Sequence, residues 1–237
     1  RLAFTAGNSA ARRYKIMLKS DMKPQWKRKS VLHAAISLLE NRPQVLELDL
    51  SNNGLQAAEL CILGKFFEAK NRSLALRYLD CSCNDVLQAA DIDPFFEGVS
   101  KLPDLETLRF NGSDQYFRAK GFPSLSRSTS LKYLSLSKST LSDPSALFQD
   151  LPISLTSLEL QGSVFNSMSL MECLKNQKPE ALDHINLNEC TISNYNTFSS
   201  LSPLKTLALS HNSNCDIGVA TDIINQMSPK IENLELH

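Results

Sequence analysis

The 237 residues carry 25 Lys and Arg against 25 Asp and Glu, so the formal net charge is zero and long-range steering by the whole chain is excluded. No window approaches the roughly 18 consecutive apolar residues of a membrane span. The start, Arg1 to Ala11, lacks the apolar stretch of a secretory leader, so the six cysteines are expected to be reduced, in the cytosol or the nucleus.

Taken in chain order, Leu2 and Phe4 read as inward positions of a first strand, with Asn8 near its turn. Residues 9–29 then read as a basic insertion, in which Arg12, Arg13, Lys15, Lys19, Lys23, Lys27, Arg28 and Lys29 stand against a single Asp21. Ser30 is expected to cap a helix with Leu32, Ala35, Ile36 and Leu39 on one face, stopped by Pro43. A second helix carries Leu60, Leu63 and Phe67, and a third opens on Asp93-Pro94 with Ile92, Phe96 and Val99. Asp143-Pro144 opens a shorter helix with Leu147, and single turns or irregular segments are expected after about residue 125.

Between these segments a repeat accounts for the 38 leucines. The pattern L-x-x-L-x-L-x-x-N/C-x-L starts at Val45, Leu76, Leu105, Leu131, Leu155, Leu182, Leu204 and Ile231. Spacings run from 22 to 31 residues, within or just beyond the roughly 20–29 of leucine-rich repeats. Positions four and six alternate inward along a short strand. Position nine must turn the chain while satisfying buried backbone groups. It is filled by Asn53, Asn84, Ser113, Ser139, Ser163, Cys190 and Asn212. The expected fold is therefore an α/β leucine-rich repeat solenoid: a curved horseshoe with a parallel sheet on the concave face and helices and irregular turns on the convex one. One domain spans 1–237, with about eight repeats over 45–237. Neither end supplies the polar cap a solenoid needs, so a fragment of a longer array is expected.

The concave face is the default binding surface of such a solenoid. Strand positions three and five project from it, and they nominate Glu47, Asp49, Tyr78, Asp80, Arg109, Tyr133, Glu159 and His184 as partner-binding residues. Tyr and Arg are the residue types that dominate interface hot spots. The basic insertion offers a second surface, with Arg12, Arg13, Lys27 and Arg28 as candidates for anionic membranes; a solvated loop would carry the same charges, and no nucleic-acid partner is expected. His184, Cys190, His211 and Cys215 diverge on the strand geometry, so no metal site or cofactor is expected. No phosphate loop, zinc-protease or nucleophile-elbow motif occurs, which leaves an enzyme without a positive signal.

Among long-repeat families of the ribonuclease-inhibitor-like class, the chain is most similar to CARMIL, the capping-protein-interacting actin regulators. The resemblance lies in Leu2-Ala3-Phe4, the insertion before the Ser30–Asn41 helix, Val45 to Leu55, Asn71-Arg72-Ser73 leading into Leu76–Val86, and Lys101-Leu102-Pro103. Leu131 to Lys138 and His184-Ile185-Asn186-Leu187 extend it. It implies a non-enzymatic scaffold in actin cytoskeleton regulation, cytoplasmic and associated with the plasma membrane. The short repeats after residue 125 depart from that family's regular ones. A Ran-type GTPase activator and a recognition module of an effector or immune-type protein are the alternatives.

Overall fold

The computed structural model describes residues 3–6, 13–17, 24–84, 92–112, 123–139, 151–164, 181–192, 204–212, 218, 221, 222, 225 and 231–236. Ten strands form one sheet in chain order. The first two are β1 (Ala3–Ala6) and β2 (Arg13–Met17). The other eight are three-residue strands: β3 (Glu47–Asp49), β4 (Tyr78–Asp80), β5 (Thr107–Arg109), β6 (Tyr133–Ser135), β7 (Ser157–Glu159), β8 (His184–Asn186), β9 (Thr206–Ala208) and β10 (Asn233–Glu235). Each sits at positions three to five of a predicted repeat.

From β2 to β10 neighbouring strands pair parallel. The constant register sets Leu48, Leu79, Leu108, Leu134, Leu158, Ile185 and Leu207 side by side, and all seven are fully buried. Burying one such side chain contributes about 1.5–3 kcal/mol, so this row alone fixes which face of each strand points inward. Leu234 on the last strand is only half-buried. This is the sheet of a leucine-rich repeat solenoid.

The amino-terminal part departs from expectation. β1 pairs antiparallel with β2, with Phe4 opposite Ile16. Only six residues separate the two strands, too few for a parallel crossover, which needs a dozen or more; β1 is one arm of a hairpin and not a repeat strand. Residues 13–17 of the stretch read as an insertion are strand. Tyr14 lies beside Leu48 in the register and packs partly buried against the core. Arg42 holds it from outside, donating from Nη1 to the phenol oxygen at 3.0 Å.

Helix α1 spans Pro24–Asn41, six residues longer at its start than the Ser30 cap implied. Pro24 occupies its first position, where a missing N–H costs nothing and a fixed φ is already helical. Helix α2 (Ala57–Lys70) starts where Glu59 accepts from the Gln56 backbone N–H at 3.0 Å, and buries Leu60, Leu63 and Phe67 as expected. Helix α3 (Asp93–Ser100) has Pro94 in its first turn and buries Phe95, Phe96 and Val99. A short 3-10 helix follows at Pro123–Arg127. The Asp143-Pro144 helix falls outside the described residues, whereas residues 218, 221, 222 and 225 have helical backbone. Helices α2 and α3 approach through glycines: a Cβ on Gly98 would lie 1.9 Å from the Gly64 carbonyl oxygen, and one on Gly64 would lie 2.2 Å from that of Pro94.

The turns after the strands repeat one solution. Asn84 donates to the carbonyls of Leu50 and Cys81 and accepts from the backbone N–H groups of Asn53 and Leu55. Ser163 accepts from the Ser139 N–H and donates to Leu136, and Asn212 donates to Leu187 and Leu209. Each side chain thereby ties two successive repeats through otherwise orphaned backbone groups. Ser113 is outside the described residues. The residue just before position nine takes a left-handed backbone at Asn52, Cys83, Lys138, Gly162, Glu189 and His211.

Candidate functional site

The register that buries position four turns positions three and five to the opposite face of the sheet. Tyr78, Asp80, Arg109, Tyr133, Glu159 and His184 are half-buried there, on five consecutive strands. Arg109 lies between two aromatic rings: its guanidinium carbon is 5.9 Å from the Tyr78 centroid and 5.3 Å from that of Tyr133. The tyrosines come from β4 and β6, and both flank Thr107 in the register. Such stacking is worth about 0.5–2 kcal/mol according to desolvation. It restricts a side chain that would otherwise sample many rotamers.

The chain of contacts continues on both sides. The Tyr78 hydroxyl donates to Asp80 Oδ2 at 3.2 Å. Glu159 Oε1 meets His184 Nε2 at 2.9 Å. The hydrogen bond to Glu159 lifts the His184 imidazole above its usual value, against the effect of burial, and the charges of Glu159, Glu235 and Asp183 add to it. Burial pushes the Glu159 carboxyl up, but the hydrogen bond and charge of His184 outweigh it and leave it below its usual range. Burial raises the Tyr133 phenol, reinforced by Glu159 and partly offset by Arg109, so at neutral pH it stays protonated and able to donate.

Asp49, expected on the open face, is 4% exposed. Its Oδ1 accepts from the Ser51 N–H at 2.9 Å and the Ser51 hydroxyl at 2.6 Å. Asp80 likewise accepts from the Ser82 N–H at 2.8 Å. These carboxylates cap the loop that leaves the strand, in the manner of an Asx turn. Sequence reasoning missed the polar row that completes this device at position seven. Asn111 Oδ1 accepts from the Ser135 hydroxyl at 2.6 Å and the Ser137 N–H at 2.9 Å, and Asn188 Oδ1 accepts from the Ser210 N–H at 2.6 Å. The signal was available, because Ser51, Ser82, Asn111, Ser137, Gln161, Asn188 and Ser210 recur at one offset.

Arg13 stands opposite Glu47 and Lys15 opposite Asp49 in the β2–β3 register. Glu47 is half-buried on that face. Arg28 is turned inward on α1, with its side chain 18% exposed and Nε 3.8 Å from Glu59 Oε1. Lys27 lies on the same helix, and Arg12 is outside the described residues. Of the residues tested for a metal, His184 is on the open face while Cys190 is buried in the turn, its Sγ 3.1 Å from the Leu160 carbonyl. Among the described residues no group of three or more His, Cys, Asp or Glu could hold a metal ion, and no helix is long and apolar enough to cross a membrane.

No protein-family model matches this chain, and no curated protein matches it. Among solved structures it is similar to an internalin from Listeria monocytogenes. That alignment covers 85% of this chain and 70% of the internalin, at 18% identity and a TM-score of 0.44.

Proposed function

We propose that this chain is a non-catalytic protein-binding module that works through the open, concave face of its sheet. The observation that carries the reading is Arg109 stacked between Tyr78 and Tyr133 in the middle of that face. Hot spots are enriched in these residue types, and rigid side chains lose little entropy on binding. The pairing of Arg28 with Glu59 favours this face over the basic segment as the working surface.

Within that reading, the sequence resemblance to CARMIL points to a cytoplasmic scaffold in actin cytoskeleton regulation. A pull-down with two sets of variants tests the module itself. Alanine at Tyr78, Arg109 and Tyr133 is expected to abolish capture of a partner, and charge reversal at Arg12, Arg13 and Lys27, leaving the inward-turned Arg28 in place, to leave it intact. Loss with the basic set alone would overturn the proposal. Acceleration of GTP hydrolysis by a Ran-type GTPase would instead support the enzyme-linked alternative.

A further inference from the structure

The open face carries a charge pattern that specifies its partner more narrowly than the fold does. In the position-five row Asp80, Arg109, Ser135 and Glu159 stand on consecutive strands in register. Negative, positive, neutral and negative groups therefore follow one another at about 4.8 Å intervals, with Glu159 also bonded to His184 and Asp80 to the Tyr78 hydroxyl and the Ser82 N–H. The neighbouring row at position two is balanced within itself, Lys132 lying 3.4 Å from Glu106 and Lys205 3.2 Å from Asp183. Arg109 differs in that, among the described residues, no carboxylate lies within 4.0 Å of it, although the Glu159 charge reaches it, and its Nε is shielded without a hydrogen-bond partner. The guanidinium carbon lies 5.9 and 5.3 Å from the two ring centroids, and the Tyr133 side chain is one of its hydrogen-bond partners. Its remaining N–H groups form a fork of the kind that takes a carboxylate.

Resting on the binding reading above, we infer that the partner is an extended protein segment with one carboxylate, for Arg109, between two cationic side chains, for Asp80 and Glu159. An extended segment crossing the strands presents every second residue to the sheet at about 6.6 Å. Asp80 lies about 5 Å from Arg109 and Glu159 about 10 Å on its other side at ordinary strand spacing, within the reach of lysine or arginine side chains placed two residues either side of the acid. A wrong order sets like charges against each other, which is how such surfaces discriminate.

The test uses two fluorescein-labelled peptides of identical composition in glycine-serine flanks, read by fluorescence anisotropy against the full chain. One has the order lysine, serine, glutamate, serine, lysine; its isomer has glutamate, serine, lysine, serine, lysine. The first is expected to bind about tenfold more tightly, with the preference falling as salt is raised. Arg109→Gln is expected to remove the preference, and Glu159→Gln to weaken the first peptide several-fold, each measured below its own melting temperature so that the folded protein is compared. Equal binding of the isomers, no binding of either, or a preference that survives Arg109→Gln would overturn the charge pattern. If that happens while alanine at Tyr78, Arg109 and Tyr133 still abolishes capture in the pull-down, the face stands and only the partner chemistry falls; failure in both assays overturns both.

Discussion

Replacing Gly98 by alanine inverts the usual rule for helices. In an exposed helix interior this change stabilises by up to about 1 kcal/mol, because glycine has more backbone freedom to lose. Here the new Cβ would lie 1.9 Å from the Gly64 oxygen, 2.5 Å from its carbonyl carbon and 2.6 Å from its Cα, all backbone atoms. Reaching the 3.4 Å of ordinary contact requires α2 and α3 to part by about 1.5 Å. That displacement loosens the aromatic cluster beneath, where Phe95 and Phe96 pack against Phe110 at centroid distances of 5.6 and 5.3 Å. Overpacking of this kind costs about 1–3 kcal/mol, and the propensity gain offsets only part of it. The expected net loss is about 1 kcal/mol, or roughly 2–4 °C in melting temperature for a chain of this size, followed by circular dichroism. Ala58→Gly on the exposed side of α2 serves as the control, with a loss of about 1 kcal/mol from propensity alone. A Gly98→Ala protein as stable as the parent would refute the close helix contact.

Leu134, fully buried in the strand row, should cost about 2–5 kcal/mol on truncation to alanine, whereas half-buried Leu234 should cost less than half as much by the same urea titration. Lys138→Gly, at a left-handed position with φ 53°, should stabilise by about 0.5–1 kcal/mol, the relief of Cβ strain less the added chain entropy. In peptide-resolved alkylation the exposed Cys83 should label first and Cys61 more slowly, with buried Cys81 and Cys190 labelling last. Burial pushes the Cys190 thiol up to about 11, so at pH 8 only about one molecule in a thousand is thiolate there. The Glu159–His184 pair sets a pH window. Its contribution through His184 is complete below the ordinary 6.5 and is lost as pH rises through the raised folded value. Its contribution through Glu159 is complete above the ordinary 4.5 and is lost as pH falls through the lowered one. Melting temperature against pH should therefore gain a maximum between about 4.5 and 6.5 relative to Glu159→Gln, and parallel curves for the two proteins would refute the pairing.

The strands were legible because one physical requirement recurs: a leucine at position four cannot be exposed without losing the interface to the next repeat. Position nine was legible for a similar reason, since only a short polar or thiol side chain reaches the orphaned carbonyls. The amino-terminal segment was not, because Tyr14 stands where the other strands have leucine or isoleucine, and Arg13 and Lys15 beside it suggested a solvated run. The alternation of Tyr14 and Ile16 with charged residues was the overlooked signal. Ser30 drew the helix start away from Pro24 for want of weight on proline at the first helical position. Alternation placed Tyr78, Arg109 and Tyr133 on one face. It could not tell that Asp49 would turn back to cap its own loop, which depends on the serine two residues later and on the depth of the sheet at that strand.

The proposed binding face is tested most directly by site-specific photo-crosslinking from its centre. A benzophenone amino acid at Thr107, between the two tyrosines, is predicted to yield a partner adduct that disappears with Arg109→Gln, whereas the same group at the exposed Ile62 on α2 yields none. An adduct formed from Ile62 and not from Thr107 would contradict the account.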